Sequence, residues 1–140
     1  MRSTNERSFF DTNVLVYTDD ASASAKLEVA IDLLEQAILT STGVVSTQVL
    51  QEYFVTATRK LAVSPEDVSR KVELIGSLDV VTLDVQTIIS AIDLHRLRQL
   101  SFWDALIVQA ALRGRCTRLF TEDLQHGQRI LGLEVVNPFL

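Results

Sequence analysis

Four acidic residues stand in apolar surroundings, where an unpaired carboxylate is costly to bury. They are Asp11 within FFDTNVLVY, Glu52 within STQVLQEYF, Asp104 within FWDALIV and Asp123 within LFTEDLQHG. Carboxylates that pack together repel one another, and a divalent cation removes that penalty. Hard oxygen ligands without His or Cys nearby favour Mg²⁺ or Mn²⁺ over Zn²⁺. If the fold brings the four acids together, they predict a Mg²⁺ site in which Mn²⁺ can substitute.

The chemistry of such a site is phosphoryl transfer to water. One carboxylate-held Mg²⁺, or a pair about 4 Å apart, lowers the pKa of a bound water and stabilises charge on a phosphoryl group. Asn13, Ser46 and Thr121 fall at predicted strand ends, where they could hydrogen-bond the acids or a water. The ordinary alternative for each of the three is a turn or capping residue.

Alternating apolar runs and helical periodicities predict an α/β domain that positions these acids. Strands are predicted within residues 9–17 (ending near residues 11–13) and at 43–46, 79–83, 117–121 and 134–136. Helices are predicted at 24–39, from 47 onward, from 64 to about 76, from 84 through 100 and at 103–112, with a helical turn at 127–131. This alternation indicates βαβ crossovers and a central, mainly parallel five-stranded sheet flanked by helices.

The predicted sheet places the four acids at one edge. Asp11 and Asp123 follow strands, and Glu52 and Asp104 lie on early turns of helices that can lean over the same carboxyl edge. Each acid alone has an ordinary explanation as a cap, a turn residue or a surface residue. The ordinary explanations are less plausible for the four acids taken together, because all four would have to reach one edge of the sheet by chance.

Composition limits the class of protein. The chain has 140 residues, 47% apolar and 22% charged, which predicts one domain spanning residues 1–140. Its one cysteine, Cys116, excludes a disulfide framework and a Cys-based zinc site. Residues 1–10 carry Arg and Glu where a signal peptide needs an apolar segment, and no apolar run reaches about 18 residues. We therefore expect a cytoplasmic protein without a membrane partner.

Charge and motifs exclude several functions. With 13 basic against 18 acidic residues, the net charge of −5 argues against nucleic-acid binding unless acid-held cations face the phosphates. No glycine-rich phosphate loop occurs, which removes support for nucleotide-cofactor folds. An Asp-x-Asp phosphatase is the nearest rival for the early motif. Here, however, the second position is Asn13, and no candidate Lys stands near a later strand.

In their order and intervals, the four motifs resemble those of the PIN-domain nucleases, and the likeness covers essentially the whole chain. The resemblance implies that Asp11 with Asn13, Glu52, Asp104, and Thr121 with Asp123 form the Mg²⁺- or Mn²⁺-binding catalytic site. Asp11 and Asp104 are the expected direct metal ligands. Glu52 and Asp123 are expected to complete the acidic pocket, through water or with a second ion.

Small stand-alone bacterial PIN domains of this length are similar to the VapC toxins of toxin–antitoxin pairs. That likeness implies an endoribonuclease that cleaves RNA with metal-activated water and leaves 5′-phosphate and 3′-hydroxyl ends. It also implies inhibition by a VapB-type antitoxin and a homodimeric assembly. A non-catalytic PIN-fold module, acting as an RNA- or partner-binding scaffold, is the alternative that metal-dependent cleavage would exclude.

The last motif departs from many relatives, which carry a further Asp two residues after the Thr-x-Asp acid. Here Gln125 stands at that place, so the sequence is compatible with a site for one ion or for two. The orientation of Glu122 is also open, and His126 is expected to be a surface loop residue. Trp103 is expected to pack against its helix start or to form part of an RNA-stacking surface.

Overall fold

The structure, a computed structural model, describes residues 6–140. Residues 1–5, part of the segment on which the signal-peptide expectation rests, lie outside the described residues. The strands are β1 (Ser8–Phe10), β2 (Gly43–Ser46), β3 (Asp79–Val81), β4 (Arg118–Phe120), β5 (Arg129–Ile130) and β6 (Leu133–Val136). The helices are α1 (Thr12–Tyr17), α2 (Ala25–Thr40), α3 (Thr47–Lys60), α4 (Pro65–Ile75), α5 (Val85–Arg98) and α6 (Phe102–Arg113), with a 3₁₀ turn at Ala21–Ala23.

The strands form one sheet in the order β3-β2-β1-β4-β6-β5. Every neighbouring pair is parallel except β5 and β6, which are antiparallel. The prediction of a mainly parallel sheet flanked by helices is therefore confirmed, although the part of the chain that the structure describes has six strands in the sheet rather than five. Because β1 lies between β2 and β4, the carboxyl ends of these three strands meet at the centre of one edge.

The apolar run at residues 9–17 contains a strand and a helix. Strand β1 ends at Phe10, and Asp11 then caps α1 with a side chain that accepts a hydrogen bond from the Thr12 backbone N–H. Val14 and Leu15 are buried on this helix rather than on an extended strand. The early end of the strand follows from the Asp11 cap, because a capping carboxylate satisfies an N–H group that a helix start leaves unpaired.

The helical turn predicted at residues 127–131 is wrong. That segment contains the short strand β5, which pairs with β6 through Arg129–Glu134 and Ile130–Leu133. Gly127 and Gly132 flank it with φ angles of 86°, a conformation that glycine adopts without strain. These glycines let the chain reverse tightly, so β5 covers the outer edge of β6.

The helix starts match their sequence signals closely. Ser64 caps α4, Pro65 takes its first position, and Asp84 caps α5 by accepting from the Thr87 N–H.

Two connected groups of helices surround the sheet: α1 contacts α2 and α3, α4 packs on α3, and α5 packs along α6. Within residues 6–140, no helix is long and apolar enough to cross a membrane.

The sheet interior is apolar, as expected for parallel strands covered by helices. Phe9, Val44 and Leu119 are fully buried on the three central strands. The end of α6 lies so close to β2 that a Cβ at Gly114 would stand 2.6 Å from Val44 Cγ1. Tight packing on this side fixes α6, and therefore Asp104, relative to the central strands.

Candidate active site

The four predicted acids all line one cavity at the carboxyl edge of the central strands, with a volume of about 770 Å³. Each acid comes from a different place in the fold. Asp11 follows β1, Glu52 lies on α3, Asp104 lies in the first turn of α6, and Asp123 follows β4. The parallel sheet brings these separate segments together, as the sequence predicts.

Asp11 is the most buried of the four acids, with 7% of its surface exposed. Its Oδ1 accepts from the Thr12 N–H at 2.7 Å, and its Oδ2 accepts from Thr121 Oγ1 at 2.8 Å. The pKa of Asp11 is raised to about 6: burial raises it most, the two hydrogen bonds lower it, and the charges of Asp123 and Glu52 add to the rise. Asp11 is thus a carboxylate that a nearby cation would stabilise in its charged form.

Asn13 and Thr121 connect Asp11 to Asp123. The Asn13 amide donates to Asp123 Oδ2 at 2.9 Å and to Thr121 Oγ1 at 3.3 Å. Thr121 Oγ1 also accepts from the Asp123 N–H at 3.1 Å. The Thr121 hydroxyl, which is fully buried, therefore contacts both acids, and Asp123 itself stays exposed.

Glu52 is held by two side chains that sequence reasoning missed. Thr12 Oγ1 donates to Glu52 Oε1 at 2.8 Å, and the Gln48 amide approaches the same oxygen at 3.5 Å. The spacing of Gln48 and Glu52 by four residues on one helix face is a signal that could have found Gln48. For Thr12, the sequence offers only its position beside Asp11.

Asp104 lies half-buried in the first turn of α6, next to the capping residue Ser101. The Ser101 hydroxyl accepts a hydrogen bond from the Asp104 N–H at 3.0 Å. Burial raises the pKa of Asp104, a separate hydrogen bond between the Ser101 side chain and the Asp104 carboxylate lowers it, and the charge of Asp123 adds to the rise. The charge of Asp123 therefore reaches Asp104 across the cavity.

Ser46 has a structural contact instead of a contact with an acid. Its hydroxyl accepts from the Val49 N–H at 3.3 Å and so caps α3, the helix that carries Glu52. The Ser46 side chain is fully buried. The alternative reading of Ser46 as a capping residue thus describes its observed contact.

Glu122 lines the same cavity as the four acids, but unlike them it is paired with a cation. It accepts from Tyr17 Oη at 2.6 Å and from Lys26 Nζ at 3.0 Å. Burial alone would raise the pKa of Glu122, but these two hydrogen bonds outweigh it and lower the pKa. His126 lies exposed on its loop, where its Nδ1 accepts from the Asn137 N–H at 3.0 Å.

A family comparison agrees with this arrangement of strands and acids. The sequence profile of the PIN domain matches residues 8–129, which include all four acids. The chain belongs to the PIN domain family. No protein of curated function matches it in sequence.

Solved structures place this PIN domain close to toxin–antitoxin proteins in fold. A toxin–antitoxin complex from Klebsiella pneumoniae is 21% identical, with a TM-score of 0.69 over 94% of this chain and 98% of that chain. A DNA-bound VapBC from Salmonella typhimurium is 26% identical, with a TM-score of 0.64 over 93% and 96%. The sarcin–ricin-loop-cleaving toxin VapC20 of Mycobacterium tuberculosis is 16% identical, with a TM-score of 0.65 over 83% and 89%.

The donor chemistry of this PIN domain fits a hard divalent cation. Six carboxylates line the cavity, and Lys60 is the one cationic side chain among the described lining residues. Within residues 6–140, no three acids, histidines or cysteines are already grouped to hold an ion. Gln48 lines the same cavity, and its buried Oε1 has no hydrogen-bond partner among the described residues. Amide and carboxylate oxygens are ligands that Mg²⁺ accepts, directly or through its waters.

Gln48→Met is expected to weaken Mg²⁺ binding by about tenfold without lowering thermal stability. The substitution removes an unpaired buried acceptor and loses only the long 3.5 Å contact between the Gln48 amide and Glu52, so the free energy of unfolding should stay the same or rise. Calorimetric titration with Mg²⁺ and a thermal melt measure the two effects. Gln51→Met is the matched control, because Gln51 lines the same cavity but is exposed. Equal Mg²⁺ affinity of the wild type and both variants would show that Gln48 has no part in the site.

Proposed function

We propose that this PIN domain is a Mg²⁺-dependent endoribonuclease, the toxin of a VapBC-type toxin–antitoxin pair. One observation carries the proposal: acids from four separate segments meet at the carboxyl edge of the sheet, and Lys60 is the one cationic side chain among the described residues that line the cavity there. A structural role would not require like charges to share a cavity, since each unpaired carboxylate there costs free energy. Metal-dependent phosphodiester cleavage does require such a cluster, because the carboxylates would hold the cation that faces the phosphate.

In this proposal, Asp11 and Asp104 bind the ion directly, and Glu52 and Asp123 complete the site. The bound ion would activate a water for attack and stabilise charge on the phosphoryl group. Thr12 holds Glu52 in place, and Asn13 orients Asp123 through the 2.9 Å hydrogen bond. Polar neighbours of this kind fix the orientation of ligand carboxylates and so raise metal affinity.

We further propose a VapB-type antitoxin as partner and a homodimer as the assembly. The proposal of an antitoxin partner is supported by the similar structures from Klebsiella and Salmonella, which are themselves described as toxin–antitoxin and VapBC complexes. An apolar stripe on α5 supports the homodimer, since Val85, Ile88, Ile89 and Ile92 are all exposed on one face. A cytoplasmic location stays a prediction.

Purified protein is expected to cleave a labelled single-stranded RNA pool with Mg²⁺ or Mn²⁺ and to lose that activity in EDTA. The expectation follows because the described cavity offers only Lys60 to neutralise a phosphate in the absence of an ion. Denaturing gels with end-labelled RNA measure cleavage, after mass spectrometry has shown the sample to be free of a co-purified antitoxin. Restoration of activity by Mg²⁺ after EDTA treatment controls for unfolding.

Two outcomes would contradict the proposal. Cleavage that persists in EDTA would show that the acids do not act through a metal. Metal binding without cleavage of any RNA, including total cellular RNA, would favour the non-catalytic scaffold.

A further inference from the structure

The candidate cavity is larger than its metal chemistry requires. An ion with six waters occupies about 200 Å³, at roughly 30 Å³ for each water. The cavity measures about 770 Å³. The remaining space suits an organic group of moderate size.

The helices that carry Glu52 and Asp104 also supply apolar side chains to this cavity. Val55 and Ile107 lie one helical turn beyond the two acids, and Trp103 directly precedes Asp104. Trp103 is 62% exposed, although the residues that follow Asp104 on α6 are buried. Its ring meets Phe102 in an edge-type contact, with centroids 5.2 Å apart and an interplanar angle of 71°. An indole left this exposed beside a cavity is available to stack on a planar ligand.

Electrostatics indicate why such a contact is needed. The described lining has six carboxylates and one lysine, and the chain has a net charge of −5. Phosphate neutralisation by Lys and Arg, the usual source of nucleic-acid affinity, is therefore weak here. Stacking on an aromatic side chain does not depend on charge and contributes to binding with any base.

We propose that Trp103 is the stacking platform for an unpaired nucleobase beside the phosphate that is cleaved. The inference rests on the proposed function, because it describes how the same cavity holds its strand. A base inside a duplex is already stacked on both sides and cannot reach the indole. The substrate class is therefore an unpaired segment of nucleic acid, either a single strand or a loop.

Trp103 is the only tryptophan of the chain, so tryptophan emission reports on the surroundings of this one indole. The probes are an eight-nucleotide single-stranded DNA, an abasic strand with the same phosphates, and a blunt duplex, each in Mg²⁺. We expect the single strand to quench the emission and the abasic strand and duplex to leave it unchanged. DNA avoids cleavage during the titration, and stacking tolerates either sugar.

Variants test the same contact through the affinity for labelled strands, measured by fluorescence anisotropy. Trp103→Ala is expected to raise the Kd for the single strand by about tenfold or more, and Trp103→Phe by much less. Neither variant should change the weak binding of the abasic strand, which a structural defect would alter. Phe54→Ala is the control, because Phe54 is 44% exposed on α3 but does not line the cavity.

Three results would overturn the proposal: equal quenching by the abasic strand, no quenching by the single strand, or a wild-type Kd for Trp103→Ala. Quenching by an arginine-rich peptide but not by the single strand would assign the platform to a protein partner instead. Because quenching does not require cleavage, it stays measurable if the proposed nuclease activity fails. Cleavage with unchanged Trp103 emission would reject only the stacking platform.

Discussion

Asp11→Asn is expected to abolish RNA cleavage, with a loss of about a thousandfold or more. Asp11 is the most buried of the four acids that line the cavity, and the charges of Asp123 and Glu52 act on it. Removal of its charge would weaken the hold on the proposed cation, which would supply several kcal/mol of transition-state stabilisation. The fold should survive, because asparagine caps helices about as well as aspartate does. Initial rates on labelled RNA in saturating Mg²⁺ measure the effect.

The matched control for this substitution is Asp32→Asn. Asp32 is an exposed acid on α2 and does not line the cavity, so its loss of charge should leave cleavage unchanged. Circular dichroism would establish that both variants are folded. If Asp11→Asn cleaved at the wild-type rate, the cavity would not be the catalytic site.

Asp11→Asn is also expected to stabilise the metal-free protein, and the gain in the free energy of unfolding should grow with pH. The pKa of Asp11 is raised, chiefly by burial, to about 6 from its ordinary value of 3.8. Because the folded state holds this proton more tightly, ionisation of Asp11 costs stability as the pH rises from about 4 to 6. At 1.36 kcal/mol for each pKa unit, the full penalty above pH 6 is about 3 kcal/mol. Asp11→Asn removes the ionisable group and hence the penalty.

The difference in free energy of unfolding between Asp11→Asn and the wild type isolates this effect, because other titrating groups cancel. We expect a difference near zero at pH 4 that rises to about 2–3 kcal/mol at pH 7 in EDTA. Urea titrations at both pH values measure it. Mg²⁺ should reduce the difference by stabilising the wild type. A gain in stability that is the same at pH 4 and pH 7 would show that Asp11 does not titrate as its burial implies.

The sequence was sufficient to predict the parallel sheet and the placement of Asp11, Glu52, Asp104 and Asp123. Strand ends and helix starts can be recognised from local sequence. In a parallel sheet the carboxyl ends of the strands lie along one edge, so residues that follow different strands come together there. The hydrogen bond from Thr12 to Glu52 and the pairing of Glu122 with Lys26 were not predictable. They depend on how α1, α2 and α3 pack, which no local pattern specifies.

Two short segments show a different limit on the prediction of secondary structure from the sequence. Residues 12–17 and 129–130 are apolar or mixed runs too short to reveal a period of two or of 3.6 residues. In each, a particular contact decides the structure: the Asp11 side chain begins α1, and pairing with β6 extends β5. Strand β5 was missed in the sequence prediction for this reason.

The contacts that connect Asn13 to Thr121 and Asp123 span 108 and 110 residues of chain. Contacts this distant close the largest loops and form slowly in folding. During synthesis, the acidic cluster cannot assemble until the ribosome has released the segment beyond Asp123. Strand β6, which pairs with β4, emerges later still. A nascent chain therefore carries separate acids and no assembled cavity, so any activity of this cluster begins only when translation of the domain is nearly complete.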